Sequence, residues 1–179
     1  MYPVRLIAGT VLLREFTPDD ASPLGKVYGD PDSTRHLSFE PKNAEQIEKI
    51  VGAAIESATF TPRGEYMLAV ADSETDELIG VGRLALGEYE SGQIGFALRP
   101  DQWGAGKGVE TVKLLQRLGF RELGLHRIWG ARSPINDASA RTMLSAGMIE
   151  EGTMRGHLFT RGAWRDSVVH SILSDEYQH

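Results

Sequence analysis

The chain has 179 residues, 41% hydrophobic and 25% charged, with no cysteine and a formal net charge of −6. This composition suits one globular domain over residues 1–179 with a substantial core. It excludes disulfides, thiolate metal sites and cysteine nucleophiles. The acidic balance argues against a nucleic-acid partner and weakly favours a cationic substrate such as an amine. No apolar run reaches the length of a membrane span, and MYPVRLIAGT has no signal-peptide layout, so a cytoplasmic protein without a membrane partner is expected. His36, His126, His157, His170 and His179 are scattered with no i,i+4 pair, so no metal is expected.

In chain order, Val11 to Phe16 reads as a short strand, and Asp19 or Asp20 caps a helix running to about Tyr28. Gly29 to Lys42 is irregular, with two prolines and several small polar residues, and is long enough for a binding loop. Asn43 begins a helix with Ile47, Ile50, Val51, Ala54 and Ile55 at helical spacing and Gln46 in the capping-box position, ending near Thr59 to Gly64. Tyr66 to Asp72, Leu78 to Leu86 and Gly92 to Leu98 read as an antiparallel meander, with Gly80 and Gly82 marking a bulge.

Val109 to Leu123 is an amphipathic helix, with Val109, Val112, Leu115, Leu118 and Leu123 on its apolar side. Leu125 to Ala131 follows as a strand parallel to Gly92–Leu98, because a helix crosses between them, which makes the sheet mixed. Asn136, Asp137 or Ser139 starts a further helix that Gly147 ends. Met148 to Phe159 and Arg165 to Leu173 form a hairpin whose exposed edges make a homodimer an expectation to test. The tail DEYQH is expected to fray.

The most informative stretch is Arg99 to Glu110, RPDQWGAGKGVE. Three glycines, Gly104, Gly106 and Gly108, lie at a strand-to-helix junction, where unpaired N–H groups and the helix dipole favour an anion, phosphate above all. Lys107 can add a side-chain cation. Val109 stands where the dinucleotide fingerprint needs its third glycine, and Gly108 follows Lys107 where a P-loop needs Ser or Thr, so neither nucleotide motif is present.

Together, WGAGKGVETVKLL, GLHRIWGARSPINDASARTMLSAGMIEEGTMR and GAWRDSVVHSIL resemble the GNAT superfamily of acyltransferases, in particular its RimJ/RimL-type N-acetyltransferases. The shared signals are W-G-x-G, N-x-x-S, A-G-M for the usual G-F, and W-x-D, in the family's order. The resemblance implies an α+β fold whose mostly antiparallel mixed sheet splays near its centre, with helices on both faces and acetyl-CoA in the opening. It implies that Trp103, Gly104, Ala105, Gly106, Lys107, Gly108 and Val109 bind the CoA diphosphate, that Phe96, Ala97 and Leu98 run along pantetheine, and that Asn136 contacts the pantetheine side.

Ser139 matches a serine that donates a proton to the departing thiolate, and is equally a helix-cap residue. The implied reaction is direct transfer of acetyl from CoA to a primary amine, which needs a base. Glu88 and Glu90, Glu40 and His36, and His157 are the candidates, with His36, Phe39, Glu40 and His157 expected to meet the acceptor. Gln93 stands where many relatives carry glutamate, and Met148 where they carry phenylalanine. The acceptor is a protein N-terminus or a small amine, antibiotics included; a non-catalytic acyl-CoA-binding regulatory module is the reading from another class.

Overall fold

Gly9-Thr10 joins two short apolar runs into a hairpin of β1 (Arg5–Ala8) and β2 (Val11–Arg14), with Ala8 opposite Val11. A two-residue connection sets the register of such a pair. The structure, a computed structural model, describes residues 2–178. β1 was absent from the sequence expectation, and β2 stops two residues short of it, at Arg14.

From β2 the sheet continues as the expected meander through β3 (Glu65–Asp72), β4 (Leu78–Leu86) and β5 (Ser91–Leu98). A register shift leaves Ile79 unpaired between Val70↔Gly80 and Ala71↔Leu78. The bulge therefore lies beside Gly80, while Gly82 pairs regularly with Leu68. β6 (Arg127–Arg132) joins β5 in parallel, and the hairpin of β7 (Ile149–Thr160) and β8 (Ala163–Leu173) follows. The eight strands form one sheet in the order β1-β2-β3-β4-β5-β6-β8-β7.

One face carries α1 (Ala21–Tyr28) and α3 (Ala44–Ala58), which bury Leu24, Val27, Ile47 and Val51 against Ala69 and Val81. Asn43 and Gln46 cap α3 reciprocally, each side-chain oxygen accepting the other's backbone N–H at 3.0 Å. The opposite face carries α4 (Lys107–Arg117), whose Val112 and Leu115 pack with Leu13, Leu68, Leu84 and Ile128. This helix begins two residues earlier than its apolar spacing implies and finishes in a wider π turn, Leu118–Glu122.

Two further departures bear on the ends of the site. The Gly29–Lys42 loop contains a four-residue helix, α2 (Pro31–Thr34), capped by Asp30 Oδ1, which accepts from Asp32 N and Ser33 N. The tail is held as far as Tyr177, whose ring lies 5.0 Å from that of Phe120, because the apolar ring gains cover there; His179 lies outside the described residues. Among the described residues no helix is long and apolar enough to cross a membrane.

Candidate active site

β5 and β6 pair only from Ser91↔Arg127 to Ile94↔Gly130. β6 runs on to Arg132 alongside β8, where Ser133-Pro134 ends it, since proline supplies no ladder N–H. Beyond Ile94 the two strands part, leaving Gly95, Phe96 and Ala97 unpaired on their β6 side. The sheet is split at its centre, and the segments that leave the split strands flank the opening. They are the glycine turn after β5 and α5 (Asp137–Ser145) after β6. A Cβ on Gly108 would meet Thr142 Cγ2 at 3.3 Å, so the start of α4 sits against α5.

The glycine turn has the chemistry of an anion cradle. The backbone N–H groups of Gly104, Ala105, Gly106, Lys107 and Gly108 donate to no acceptor among the described residues, whereas those of Val109 and Glu110 close onto Gly106 O. Gly104 and Gly106 hold φ of +79° and +78°, and a Cβ on either would meet nothing within 4 Å. Both conformations suit glycine, and the space that a side chain would fill stands open above five free donors. A diphosphate fits this set.

The turn is tied back to its strand by the Trp103 indole, which donates to Leu98 O at 2.9 Å. Lys107 Nζ turns instead to Asp72 (3.0 Å) and Gln102 (2.8 Å), and its hydrogen bond holds the Asp72 carboxyl below the usual range. The cation expected for the diphosphate is thus already paired, and Lys107 offers that ligand its backbone N–H. Phe96 and Leu98 face the α4 side, with Ala97 on the α1/α3 side. Val109 packs against the α4-side core.

At the other flank, Asn136 Oδ1 caps α5 by accepting from Ser139 N at 3.1 Å. The amide N–H groups of Asn136 remain for a ligand. The Ser139 hydroxyl has no partner among the described residues. Met148, expected near the acyl group, is 2% exposed and fills the core behind α5.

On the α1/α3 face the Gly29–Lys42 loop crosses the mouth of the split. Ser33 Oγ reaches Leu98 O on β5 at 3.4 Å, while Arg161 and Arg165 of the β7–β8 hairpin donate to Thr34 O (3.1 Å) and His36 O (2.9 Å). Phe39 anchors the loop, edge-on to Tyr28 at 4.9 Å with Lys42 Nζ 4.9 Å above its ring. Burial, then Arg35, Arg165 and Arg161, pushes His36 below the ordinary histidine range, which keeps its ring neutral near pH 7. His157 Nδ1 lies 2.9 Å from Ser167 Oγ on the same hairpin, and the exposed Glu40 is 3.4 Å from Arg161.

His36, Phe39, Glu40 and His157 are thus gathered around one strap, whereas Glu88 and Glu90 are not with them. Those two are exposed at the β4–β5 turn, at the end of β5 that stays paired. Strand rise puts Glu90 about 20 Å from Phe96. Gln93 pairs with Trp129 inside the closed part of the sheet. Sequence reasoning passed over Arg161 and Arg165: the second is the unspecified middle residue of the W-x-D signal, and both become neighbours of the loop only through the fold of the β7–β8 hairpin.

Comparison with known proteins agrees with this geometry. Residues 10–149 match the acetyltransferase (GNAT) domain model. A Bacillus subtilis protein, the uncharacterized N-acetyltransferase YoaA, is 29% identical over 176 residues, covering 97% of this chain and 98% of its own. A GNAT-family acetyltransferase from Bacillus anthracis superposes with a TM-score of 0.85 at 21% identity, over 96% of this chain and 99% of that one. RimJ of Mycobacterium smegmatis, solved in complex with CoA-disulfide, gives 0.83 at 21% identity, over 99% and 88%. The chain therefore belongs to the GNAT acetyltransferase family, as an N-acetyltransferase whose acyl donor is acetyl-CoA.

Proposed function

We propose that the chain transfers acetyl directly to a primary amine that enters beneath the Gly29–Lys42 strap. The observation that carries this reading is the row of five free N–H groups, Gly104 to Gly108, beside the parted strands β5 and β6. Bound acetyl-CoA supplies the thioester that the amine attacks. The turn and Trp103 hold the diphosphate end, the free edge of Gly95–Ala97 pairs with the arm, and the Asn136 amide orients it from α5.

On the acceptor side an ammonium must first lose a proton, and a neutral imidazole can take it. His36, held neutral by its surroundings, fills that role, and His157 on the β7–β8 hairpin is the second imidazole on the acceptor side. The Ser139 hydroxyl, which has no partner among the described residues, donates a hydrogen bond to the departing thiolate, which lowers the barrier without full proton transfer.

Incubation with acetyl-CoA and a panel of small amines and peptides, read by thiol release, tests the proposal. Calorimetry run alongside measures acetyl-CoA binding. Acetylation of at least one amine is expected. Tight CoA binding with no turnover on any of them would favour the regulatory-module reading, and no CoA binding would refute both.

A further inference from the structure

The net charge of −6 is not spread evenly. Arg35, Arg161 and Arg165 converge on the strap at His36, and each opposes its protonation. Two of the three are neutralised: Arg35 pairs with Asp32, and Arg161 lies 3.4 Å from Glu40.

Arg165 is different. Its Nη1 donates to His36 O at 2.9 Å, its Nε is enclosed without an acceptor, and among the described residues no carboxylate lies within ion-pair distance. The neighbouring Asp166 is occupied elsewhere, accepting the Gly156 N–H at 2.7 Å. The enclosed Nε, like that of Arg117, is out of a ligand's reach; the donors of Arg165 that stay open are those of Nη2, which is not enclosed and has no acceptor among the described residues, and an open charged donor of this kind is available to a ligand.

Position decides which ligand. β8 pairs with β6 only from Val168 onward, so Arg165 lies on the part of β8 that extends past the end of β6, at the open end of the split. It sits on the hairpin that holds the strap, while the diphosphate turn follows β5 on the other side of the opening.

We infer that Arg165 recognises a carboxylate carried by the acceptor itself, so that the substrates are amino acids or similar carboxylate-bearing amines and polyamines are excluded. This rests on the transferase reading and reverses the weak preference for a cationic substrate drawn from net charge. Guanidinium matches carboxylate through a planar, charge-assisted fork, and with Arg35 and Arg161 paired it is the charge of Arg165 that attracts an anion and repels a polycation.

The test uses matched pairs: amino acids of graded amine-to-carboxylate length, each with its C-terminal amide. Turnover is followed by thiol release, and binding of the N-acetylated products by calorimetry. In the parent protein at least one carboxylate member is expected to exceed its amide about 10- to 100-fold in kcat/KM and in product affinity. In Arg165→Met that preference disappears in kcat/KM and in product affinity, with the affinity for CoA unchanged; a fall in kcat from releasing His36 is the same for acid and amide. Arg165→Lys, which keeps the charge and loses the fork, restores it in part and guards against a folding defect, as does a thermal melt of each variant.

Equal binding of acid and amide in every pair, or binding of neither, overturns the inference while leaving the transferase reading intact if any amine is acetylated. A loss of CoA affinity in Arg165→Met equal to the loss of acceptor affinity also overturns it, because the arginine would then serve the donor's phosphates. Turnover on no amine, with CoA still bound, counts against the transferase reading, and the product-binding arm still decides the role of Arg165.

Discussion

Gly106→Glu separates the donor turn from the fold. Gly106 holds φ +78° at the start of α4, and a Cβ there meets nothing within 4 Å. The stability cost is therefore that of forcing an L residue into left-handed backbone, ~1–2 kcal/mol. Against a typical domain stability of ~5–15 kcal/mol, the protein stays folded. Ligand binding suffers more, because the new side chain projects into the cradle of free N–H groups and brings a negative charge. Losing two charge-assisted contacts at ~1.5–3 kcal/mol each removes ~3–6 kcal/mol of binding. That corresponds to about 10²- to 10⁴-fold in the Kd for CoA. Calorimetry with CoA, alongside a thermal melt, reads both quantities, and Gly106→Ala supplies the backbone cost without the charge. A folded Gly106→Glu protein that binds CoA within about threefold of the parent would refute the assignment of the diphosphate to this turn.

Three further outcomes are expected. Ser139→Ala should lower kcat about 100-fold with CoA affinity unchanged, and it should fold normally because the Asn136 cap uses the backbone N–H of residue 139; an unaltered kcat in single-turnover kinetics would remove Ser139 from the chemistry. Gly52→Ala, inside α3 with nothing within 4 Å of the new methyl, should stabilise by ~0.5–1 kcal/mol, read as a higher denaturant midpoint. His170 is fully buried, and burial, with Arg132 next, pushes it below the ordinary histidine range. The unfolded chain then takes up the proton first, so stability holds above about pH 6.5 and falls as the pH drops from there toward the lower folded value. Denaturant melts of His170→Gln should show a shallower decline in that window than the parent, and equal slopes would show that His170 does not titrate on unfolding.

The elements legible in the sequence were those whose signals are local. The capping box of Asn43 and Gln46, the stripe Val112–Leu115–Leu118 and the bulge beside Gly80 each arise within a few residues. β1 was missed because four residues of mixed pattern, Arg5 to Ala8, carry little periodicity; the Gly9-Thr10 turn was the available clue. α2 hid in a loop rich in small polar residues, although Asp30 before Pro31 is a cap followed by a proline at the first helical position. The two residues by which α4 starts early follow from its backbone, and its end near the expected Leu123 follows from the core. Gly106 starts the helix before its apolar face begins, and buried Leu118 holds it past Arg117 into a π turn.

The two halves of the site differ in the same way, for a physical reason. On the proposed reading the donor is held by consecutive backbone N–H groups, which glycine spacing at a strand-to-helix junction announces, and the pairing of Lys107 with Asp72 leaves that role to the main chain. Acceptor recognition is built from side chains brought together by strand order. Thr34 and His36 meet Arg161 and Arg165 across 127 and 129 residues of chain. Nothing near Trp164-Arg165-Asp166 in sequence tells that the middle side chain reaches a loop on the far side of a split sheet. The charge total points the other way there, since an acidic chain suggests a cationic ligand while the guanidinium of Arg165 has no carboxylate within ion-pair distance among the described residues. On the proposed reading, specificity in this chain is to be sought where β8 outruns β6, at a residue whose identity the W-x-D signal leaves open.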